Sequence, residues 1–251
     1  MVEKLKVLDL FSGIGGFSLG LERTGGFETV AFCEIEKFPQ KILKKHWPEV
    51  PIYEDVTKLE YNGPVDLVTA GFPCQDISLA GKGAGLSGSR SGLFWHVLRT
   101  ACMVGRPKLL LENVAALLDR GMGEVLGALS ASGYDAEWDI IPACAVGHPH
   151  HRERVWIIAD TNSERGEGGG PFTLSRLREL PWGENVRRSK DWRERPDLHT
   201  PNLCRASDGL SDKSHRLNAL GNAVVPQIPE IIGRAILANQ AEQGGAQHDT
   251  P

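Results

Sequence analysis

Short apolar runs alternate with helix-like segments over the first 160 residues of the chain. The apolar runs predict buried strands at 6–11, 29–33, 65–70 and 108–111, and a shorter strand-like segment at 51–53. Helical patterns occupy 15–23, 36–46 and 93–104. Strands that alternate with helices are connected by right-handed crossovers, which gives a parallel sheet covered on both faces.

Two later segments predict a different edge to that sheet. Residues 134–140 alternate apolar and polar side chains, as a half-exposed strand does. Residues 154–159 form a second apolar run, and too few residues separate the two for a crossover helix. We therefore expect an antiparallel pair at one edge.

The periodicity stops after this pair and returns near the end of the chain. Residues 161–216 begin with a glycine-rich stretch and contain Trp182 and Trp192, which predicts a small separate module. Residues 226–240 resume a helical pattern with isoleucines on one face and Pro229 in the first turn. The expected division is a main domain of 1–160 plus 217–240, a module at 161–216 and a disordered tail at 241–251.

Composition narrows the class of protein without naming a substrate. Of 251 residues, 41% are hydrophobic and 24% are charged, as in ordinary globular proteins, and the longest apolar runs are too short to span a membrane. The N-terminus lacks the pattern of a secretory signal. The five cysteines include no CxxC pair, so we expect neither disulfides nor a zinc site, and we expect the protein in a reducing cytoplasm. The net charge is −4, yet residues 176–195 carry seven basic and four acidic side chains, a local +3. Composition neither supports nor excludes DNA as a partner.

The first candidate site follows from three successive strand ends. A glycine-rich turn at 11–16 leads from the first strand into a helix, Glu34 ends the second strand and Asp55 follows the third strand-like segment. Such a turn presents backbone N–H groups, and a carboxylate at the second strand can accept both hydroxyls of a ribose. Each feature alone also fits a tight turn or a surface acid. Together they favour a nucleoside site.

A candidate nucleophile follows the next strand. Cys74 stands just beyond the strand end and before a polar segment, 77–93, that contains five glycines. A lone cysteine is usually a small buried hydrophobic residue, whereas an exposed one with a lowered pKa can act as a nucleophile. The glycine-rich segment is either a loop without fixed structure or a lid over a substrate.

Charged residues near the last two strands complete the candidates. Glu112 stands at the end of the strand beginning at 108, where burial beside a partner would raise its pKa and let it act as a hydrogen-bond donor. Taken alone, Glu112 and Asn113 also fit a helix-capping pair. Arg152 and Arg154 lie on one face at the start of the following strand. Three nearby histidines lack a carboxylate or cysteine at ligand spacing, so we expect an arginine-lined pocket wall and no metal.

These motifs, in this order, resemble the DNA (cytosine-5)-methyltransferases, over roughly residues 5–160 and 216–237. The matching segments are Asp9-Leu10-Phe11-Ser12-Gly13-Ile14-Gly15-Gly16, Gly71-Phe72-Pro73-Cys74-Gln75, Glu112-Asn113-Val114, Arg152-Glu153-Arg154 and Gly221-Asn222-Ala223-Val224-Val225-Pro226. The resemblance implies a Rossmann-like class I methyltransferase sheet, mostly parallel with an antiparallel edge, and a small target-recognition module.

The resemblance also implies a role for each matching residue. The S-adenosyl-L-methionine contacts would be Phe11, Gly13, Ile14, Gly15, Gly16, Glu34, Ile35, Asp55, Val56, Asn222 and Ala223. Around the flipped cytosine would lie the nucleophile Cys74 with Glu112, Arg152 and Arg154. The DNA contacts are expected at Gln75, Ser78, Lys82, Arg90, Arg187 and Arg188.

The implied reaction is methyl transfer to carbon 5 of a cytosine in double-stranded DNA, through a covalent bond between Cys74 and carbon 6. The implied setting is a monomer in the cytoplasm of a bacterial or phage-infected cell, protecting DNA beside a cognate restriction endonuclease. Three departures stand out: His150 replaces the usual Gln before the arginine motif, the motif expected just before the last one is barely recognisable in 205–217, and the module is short. The alternatives are a transfer-RNA methyltransferase of the same family, against which Phe72 argues, and an inactive DNA-binding homologue.

Overall fold

The structure is a computed structural model that describes residues 3–73, 92–148, 150–161 and 219–246. Within these residues the chain forms seven strands, five longer α-helices and a short helical segment at 219–222. The strands are β1 (Leu5–Leu10), β2 (Phe27–Cys33), β3 (Ile52–Tyr53), β4 (Leu67–Gly71), β5 (Lys108–Val114), β6 (Tyr134–Pro142) and β7 (Glu153–Thr161). The helices are α1 (Gly16–Glu22), α2 (Lys37–His46), α3 (Leu93–Met103), α4 (Met122–Ala131) and α5 (Gln227–Ala246).

All seven strands form one sheet in the order β3-β2-β1-β4-β5-β7-β6. The first five are parallel, whereas β7 runs antiparallel to both of its neighbours. The predicted mostly parallel sheet with an antiparallel edge is confirmed. Since β2, β1, β4 and β5 are parallel neighbours, their carboxyl ends meet at one edge, and ligands of such sheets bind at that edge.

The sheet separates two hydrophobic cores, as the buried strands predicted. On one face Leu8 and Leu10 of β1 pack in a cluster with residues of α3 and α4. On the other face Val7 of β1 packs with residues of α1 and α5, including Phe17 and Ile232. Both faces are therefore covered, as a parallel sheet requires.

Helix α5 returns the end of the chain to the beginning of the sheet, where it packs on α1. Two glycines of α1 make this approach possible. A Cβ atom at Gly20 would lie 2.1 Å from the carbonyl oxygen of Pro226, and one at Gly16 would lie 2.5 Å from that of Val224. The segment before α5 is thus held directly against the first turn of α1.

Several boundaries differ from the sequence-based prediction. Helix α4 was not predicted, and β5 extends to Val114, so Glu112 lies inside the strand and not at its end. The expected disordered tail at 241–251 is wrong for its first part, because α5 continues to Ala246. Ala, Glu and Gln at 241–243 favour helix, and the helix ends after the two glycines that follow. Thr161, assigned to the module, is the last residue of β7.

The remainder of the predicted module and the rest of the tail lie outside the described residues. Among the residues that the structure does describe, no helix has both the length and the apolar character needed to cross a membrane.

Candidate active site

The glycine-rich turn between β1 and α1 has an unusual backbone. Phe11, Gly13 and Gly15 have φ angles of 53°, 54° and 85°, in the left-handed region. Glycine adopts such angles without cost, but Phe11 does so at a cost of order 1–3 kcal/mol. A Cβ atom at Gly15 would also lie 2.7 Å from the ring of Trp47. The positive φ angles and, at Gly15, the lack of space for a side chain explain why glycine occupies these positions. The backbone of the turn is therefore not covered by side chains at the carboxyl ends of the strands.

Glu34 joins the end of β2 to this turn. One carboxylate oxygen accepts the backbone N–H of Gly13 at 2.7 Å, and the other accepts that of Glu36 at 2.7 Å. Burial raises the pKa of the Glu34 carboxyl, although these backbone N–H groups act in the opposite direction. Each oxygen keeps a further lone pair, so the carboxylate can still accept ligand hydroxyl groups.

Ile35 and the segment after β3 flank Glu34. The Ile35 side chain is 67% exposed at the ligand edge of the sheet, which leaves an apolar surface free for a flat ring. The Asp55 carboxylate instead accepts the backbone N–H and the hydroxyl of Thr57, at 2.9 and 2.7 Å. Asp55 therefore caps a 3-10 turn at Val56–Lys58, within which Val56 is buried.

Asn222 and Ala223 reach the glycine turn from the other end of the chain. Residues 219–222 are helical, and the Val224 carbonyl that follows them sits over Gly16. Asn222 is exposed and Ala223 is half-buried. The structure thus brings this segment to the predicted cofactor turn.

Glu112 occupies the last rung that β5 shares with β4. It pairs with Gly71 across the parallel ladder, and a Cβ atom at Gly71 would lie 3.4 Å from its Oε2. Its Oε1 lies 2.8 Å from Nε of Arg154 on β7. The β5–β7 register places both side chains on the same face of the sheet.

Two arginines and burial have opposite effects on the pKa of the Glu112 carboxyl. Burial is the larger effect and raises the pKa of Glu112, while Arg154 and Arg152 lower it. Arg152 precedes β7 with a φ of 23°, and burial followed by the neighbouring Arg154 lowers the pKa of its guanidinium. The predicted cluster of an acid and two arginines is therefore present.

Asn113 has a role that the sequence did not indicate. Its Nδ2 donates to the backbone carbonyl of Phe72 at 2.9 Å, one residue beyond the last β4–β5 rung. The Phe72 ring also packs on Phe94, with 5.0 Å between ring centroids. The chain is thus fixed at Phe72, two residues before Cys74. No sequence signal identified this bond, because a side-chain bond to a backbone carbonyl depends on the register of the strands.

His150, which departs from the family pattern, lies beside the arginines. Its Nδ1 is buried without a hydrogen-bond partner in the described part of the chain, and its ring lies 5.3 Å from that of His148. His148 Nε2 lies 3.2 Å from Oε1 of Gln227, the first residue of α5. Within the ranges described above, no three His, Cys, Asp or Glu side chains form a group that could hold a metal ion.

The remaining predicted site residues lie outside the described residues. They are the nucleophile Cys74 and the expected DNA contacts Gln75, Ser78, Lys82, Arg90, Arg187 and Arg188.

The seven-stranded sheet with its antiparallel edge has a Rossmann-like methyltransferase fold. The sheet resembles that of the Dnmt2 methyltransferase of S. pombe, with a TM-score of 0.56 and 22% identity; the match covers 70% of this chain and 55% of the other. It also resembles a mutant of DNMT2 from Spodoptera frugiperda, with a TM-score of 0.53 and 22% identity, over 65% of this chain and 52% of the other. At this level of identity the likeness concerns the fold alone.

The chain belongs to the C-5 cytosine-specific DNA methylase family, whose model matches residues 5–197. Among named relatives, the Type II methyltransferase M2.BsuMI of Bacillus subtilis is 38% identical over 62% of this chain and 42% of its own length. The Type II methyltransferase M.Eco47II of Escherichia coli is 37% identical over 62% and 39%. The chain therefore spans about two fifths of the length of these relatives.

Proposed function

We propose that this protein transfers a methyl group from S-adenosyl-L-methionine to carbon 5 of a cytosine flipped out of double-stranded DNA. One observation carries the proposal. Strand β4 lies between β1, which leads into the glycine turn, and β5, which carries Glu112. The Cys74 segment begins three residues after the end of β4 at Gly71. The chain that follows β4 therefore starts between the candidate cofactor turn and the candidate base-binding acid.

The residues of the turn suit S-adenosyl-L-methionine. Glu34 offers carboxylate lone pairs to ribose hydroxyls, and the exposed Ile35 offers an apolar surface to adenine. The bare backbone at Gly13 and Gly15 admits close approach of the methionine part. When bound, this cofactor supplies an electrophilic methyl group on a positively charged sulfur. Asn222 and Ala223 would close the site from the α5 side.

The chain itself supplies the groups that make carbon 5 reactive. The Cys74 thiolate adds to carbon 6 of the cytosine, and the electron pair of the 5,6 double bond moves toward carbon 5. Glu112, whose pKa is raised by burial, donates a proton to N3 and neutralises the charge that develops on the ring. Arg154 and Arg152 hold Glu112 and contact the base. After methylation, water accepts the carbon-5 proton, the 5,6 double bond re-forms as the Cys74 thiolate leaves, and N3 returns its proton to Glu112.

A base inside a duplex cannot reach Cys74, so the nucleotide must leave the stack at a cost of a few kcal/mol. We assign DNA binding and target choice to residues 162–216, with Arg187 and Arg188, and to the segment containing Gln75, Ser78, Lys82 and Arg90. The catalytic domain would then comprise 1–161 and 217–246. The short module favours a short target sequence.

A covalent trap tests this function directly. A duplex carrying 5-fluorocytosine at target sites cannot lose a proton from carbon 5, so the enzyme should remain bound to it. With S-adenosyl-L-methionine present, we expect a stable protein–DNA complex on denaturing gels. Its absence on a duplex pool that covers all short target sequences would contradict the mechanism.

The Cys74→Ala variant provides the matched control. Loss of the thiol should abolish both the trapped complex and methyl transfer, a fall of at least 10³-fold. Cofactor affinity, measured by calorimetry, should stay within about twofold, because the thiol does not hold the cofactor. A large loss of affinity would instead indicate that Cys74 supports the fold.

The same experiments separate the two alternatives. A transfer-RNA enzyme would incorporate methyl groups into transfer RNA and leave duplex DNA unmodified, whereas an inactive DNA-binding homologue would form no trapped complex on either. The Type II methyltransferases that are over 30% identical to this chain favour DNA. We further propose that the protein is a monomer that modifies DNA in the cytoplasm of a bacterial or phage-infected cell, beside a restriction endonuclease. Bisulfite sequencing of that DNA would give the target sequence.

A further inference from the structure

Arg99 is a charged residue of α3 that the reaction above does not use. Its guanidinium reaches the 3-10 turn at Val56–Lys58, where Nη2 donates to the backbone carbonyl of Val56 at 2.8 Å and to that of Leu59 at 3.1 Å. Val56 is the first residue of this turn, and Leu59 is the residue that ends it. One nitrogen atom of Arg99 therefore bridges the two ends of the turn. Arg99 lies in none of the segments that carry the family resemblance.

The hydrogen bonds inside this turn are weaker than those from Arg99. The Lys58 N–H donates to the Asp55 carbonyl at 3.0 Å, and the Leu59 N–H donates to the Val56 carbonyl at 3.4 Å. A 3-10 turn has poor hydrogen-bond geometry, and the last carbonyls of a helix lack partners inside it. Bonds from a charged guanidinium are shorter and stronger than neutral ones. The end of the turn is therefore held mainly by α3.

Apolar packing places Arg99 against the turn. Val56 and Leu59 are buried in the same core cluster as Val97 and Leu98, the two residues before Arg99, and α3 packs on the turn. Arg99 itself is exposed. Its two hydrogen bonds thus lie where the packed helix and the turn meet solvent. Loss of the guanidinium should loosen the turn without opening the core.

The same turn begins at the residue expected near the adenine base. The proposed ribose ligand Glu34 follows β2, and Asp55 follows β3, the neighbour of β2 in the sheet. A base attached to that ribose and lying on Ile35 would extend toward Asp55. The bonds from Thr57 orient the Asp55 carboxylate and lower its pKa, so at neutral pH it only accepts hydrogen bonds. The direction in which Asp55 points therefore depends on the geometry of the turn.

We propose that Arg99 is a positioning residue that holds the Val56–Lys58 turn in the orientation in which Asp55 selects adenine over other purines. This inference rests on the cofactor assignment of the proposed function. The amino group of adenine can donate to the Asp55 carboxylate, whereas hypoxanthine has a carbonyl oxygen at the same place, which a carboxylate repels. A firmly held turn keeps both effects. In a loosened turn Asp55 can move away, so the gain from adenine and the penalty on hypoxanthine shrink together.

The test is calorimetric titration with two ligands that differ only in the base. One is S-adenosyl-L-homocysteine, the product that remains when the methyl donor has lost its methyl group, and the other is S-inosyl-L-homocysteine, which carries hypoxanthine. For the wild-type chain we expect the ratio of the inosyl Kd to the adenosyl Kd to be on the order of 10². In Arg99→Met, which keeps the apolar length and removes both bonds, the ratio should fall roughly fivefold. A general loss of structure would weaken both ligands by the same factor and leave the ratio unchanged.

Two further variants complete the test. Lys45→Met is the matched control, because it removes one positive charge and introduces the same side chain at an exposed position in the last turn of α2. That control should keep the wild-type ratio. Arg99→Lys keeps the charge on a shorter side chain without the planar guanidinium, so its ratio should lie between those of the wild type and Arg99→Met. If Arg99→Met does not fold, Arg99→Lys decides alone, with a ratio roughly twofold below wild type.

The outcomes distinguish this inference from the function on which it rests. If neither ligand binds the wild-type chain, the cofactor assignment fails. If both ligands bind the wild type equally well, or if the Arg99 variants keep the full wild-type ratio, the positioning role of Arg99 is wrong and the cofactor assignment stands.

Discussion

The two halves of the site bury acids in opposite surroundings. At the β1–β2 end, Asp9 and Glu34 are surrounded by hydroxyl and backbone N–H donors, with no cation among their described partners. At the β5–β7 end, Glu112 is paired with Arg154 and lies near Arg152. Burial is the leading cause of a raised pKa in all three acids.

This difference indicates what each half of the site is suited to bind. Acids that have no cation beside them favour a ligand that brings hydroxyl groups and a positive charge, because both stabilise their ionised form. An acid between arginines is already compensated, so its proton can be given and recovered without an uncompensated charge remaining in the interior. Changes at one half should therefore alter ligand affinity, and changes at the other should alter the chemical step.

Glu112→Gln should give the largest effect, and it should impair only the half of the site that contains Glu112, Arg152 and Arg154. The variant cannot transfer a proton to N3, so we expect the methylation rate at saturating substrates to fall 10²–10³-fold, about 3–4 kcal/mol. The donor Kd should change less than about twofold. Steady-state kinetics with calorimetry checks both, and Glu153→Gln, an exposed acid between the two arginines, is the control that should behave as wild type.

The pH profile sharpens this prediction. Burial raises the pKa of Glu112, and in the proposed mechanism the protonated form is the active one. The wild-type rate should therefore hold below that raised pKa and decline as pH rises through it. Glu112→Gln should lack this decline. A variant profile that keeps the same basic limb would show that another group controls it.

Gly20→Ala tests the packing that supports the cofactor half. The new methyl group would lie 2.1 Å from the Pro226 carbonyl, so α1 and α5 must separate, at a cost of roughly 1–3 kcal/mol of unfolding free energy. Cofactor affinity should fall with it, because Val224 rests on Gly16 one turn earlier. Denaturant unfolding measures the stability change.

The control for this substitution is Gly127→Ala in α4. A Cβ atom there meets nothing within 4 Å, so the higher helix propensity of alanine should stabilise the protein by up to about 1 kcal/mol. If both variants lose the same stability, close packing between α1 and α5 is not the cause.

The sequence predicted the strands, the glycine turn and the position of Glu34 directly after β2, because each leaves a local signal. Helix α4 was missed although Met122, Val125 and Leu129 are buried at helical spacing. Gly121, Gly123 and Gly127 obscured that pattern, since glycine is a poor helix former.

Three features of the site could not be predicted, because each depends on contacts between distant segments. The bond from Asn113 to the Phe72 carbonyl spans 41 residues, and that from Thr69 to Asp9 spans 60. The positive φ of Phe11 arises where the turn meets the end of β2, since the Ser12 backbone N–H donates to the Cys33 carbonyl at 3.2 Å. Local composition sets which residues end a strand, whereas strand register sets what those residues touch.

Glu34→Gln should give the smallest effect and complete the comparison with Glu112. The amide keeps one acceptor oxygen and turns a donor toward a backbone N–H, so one of the two 2.7 Å bonds is lost along with the charge offered to the ribose. We expect donor and product affinities to fall together by roughly 5- to 20-fold, about 1–2 kcal/mol. The rate at saturating cofactor should change less than about twofold, and the exposed neighbour Glu36→Gln should leave both affinities unchanged. A fall in that rate comparable to the fall for Glu112→Gln would mean that the two halves do not divide binding from chemistry.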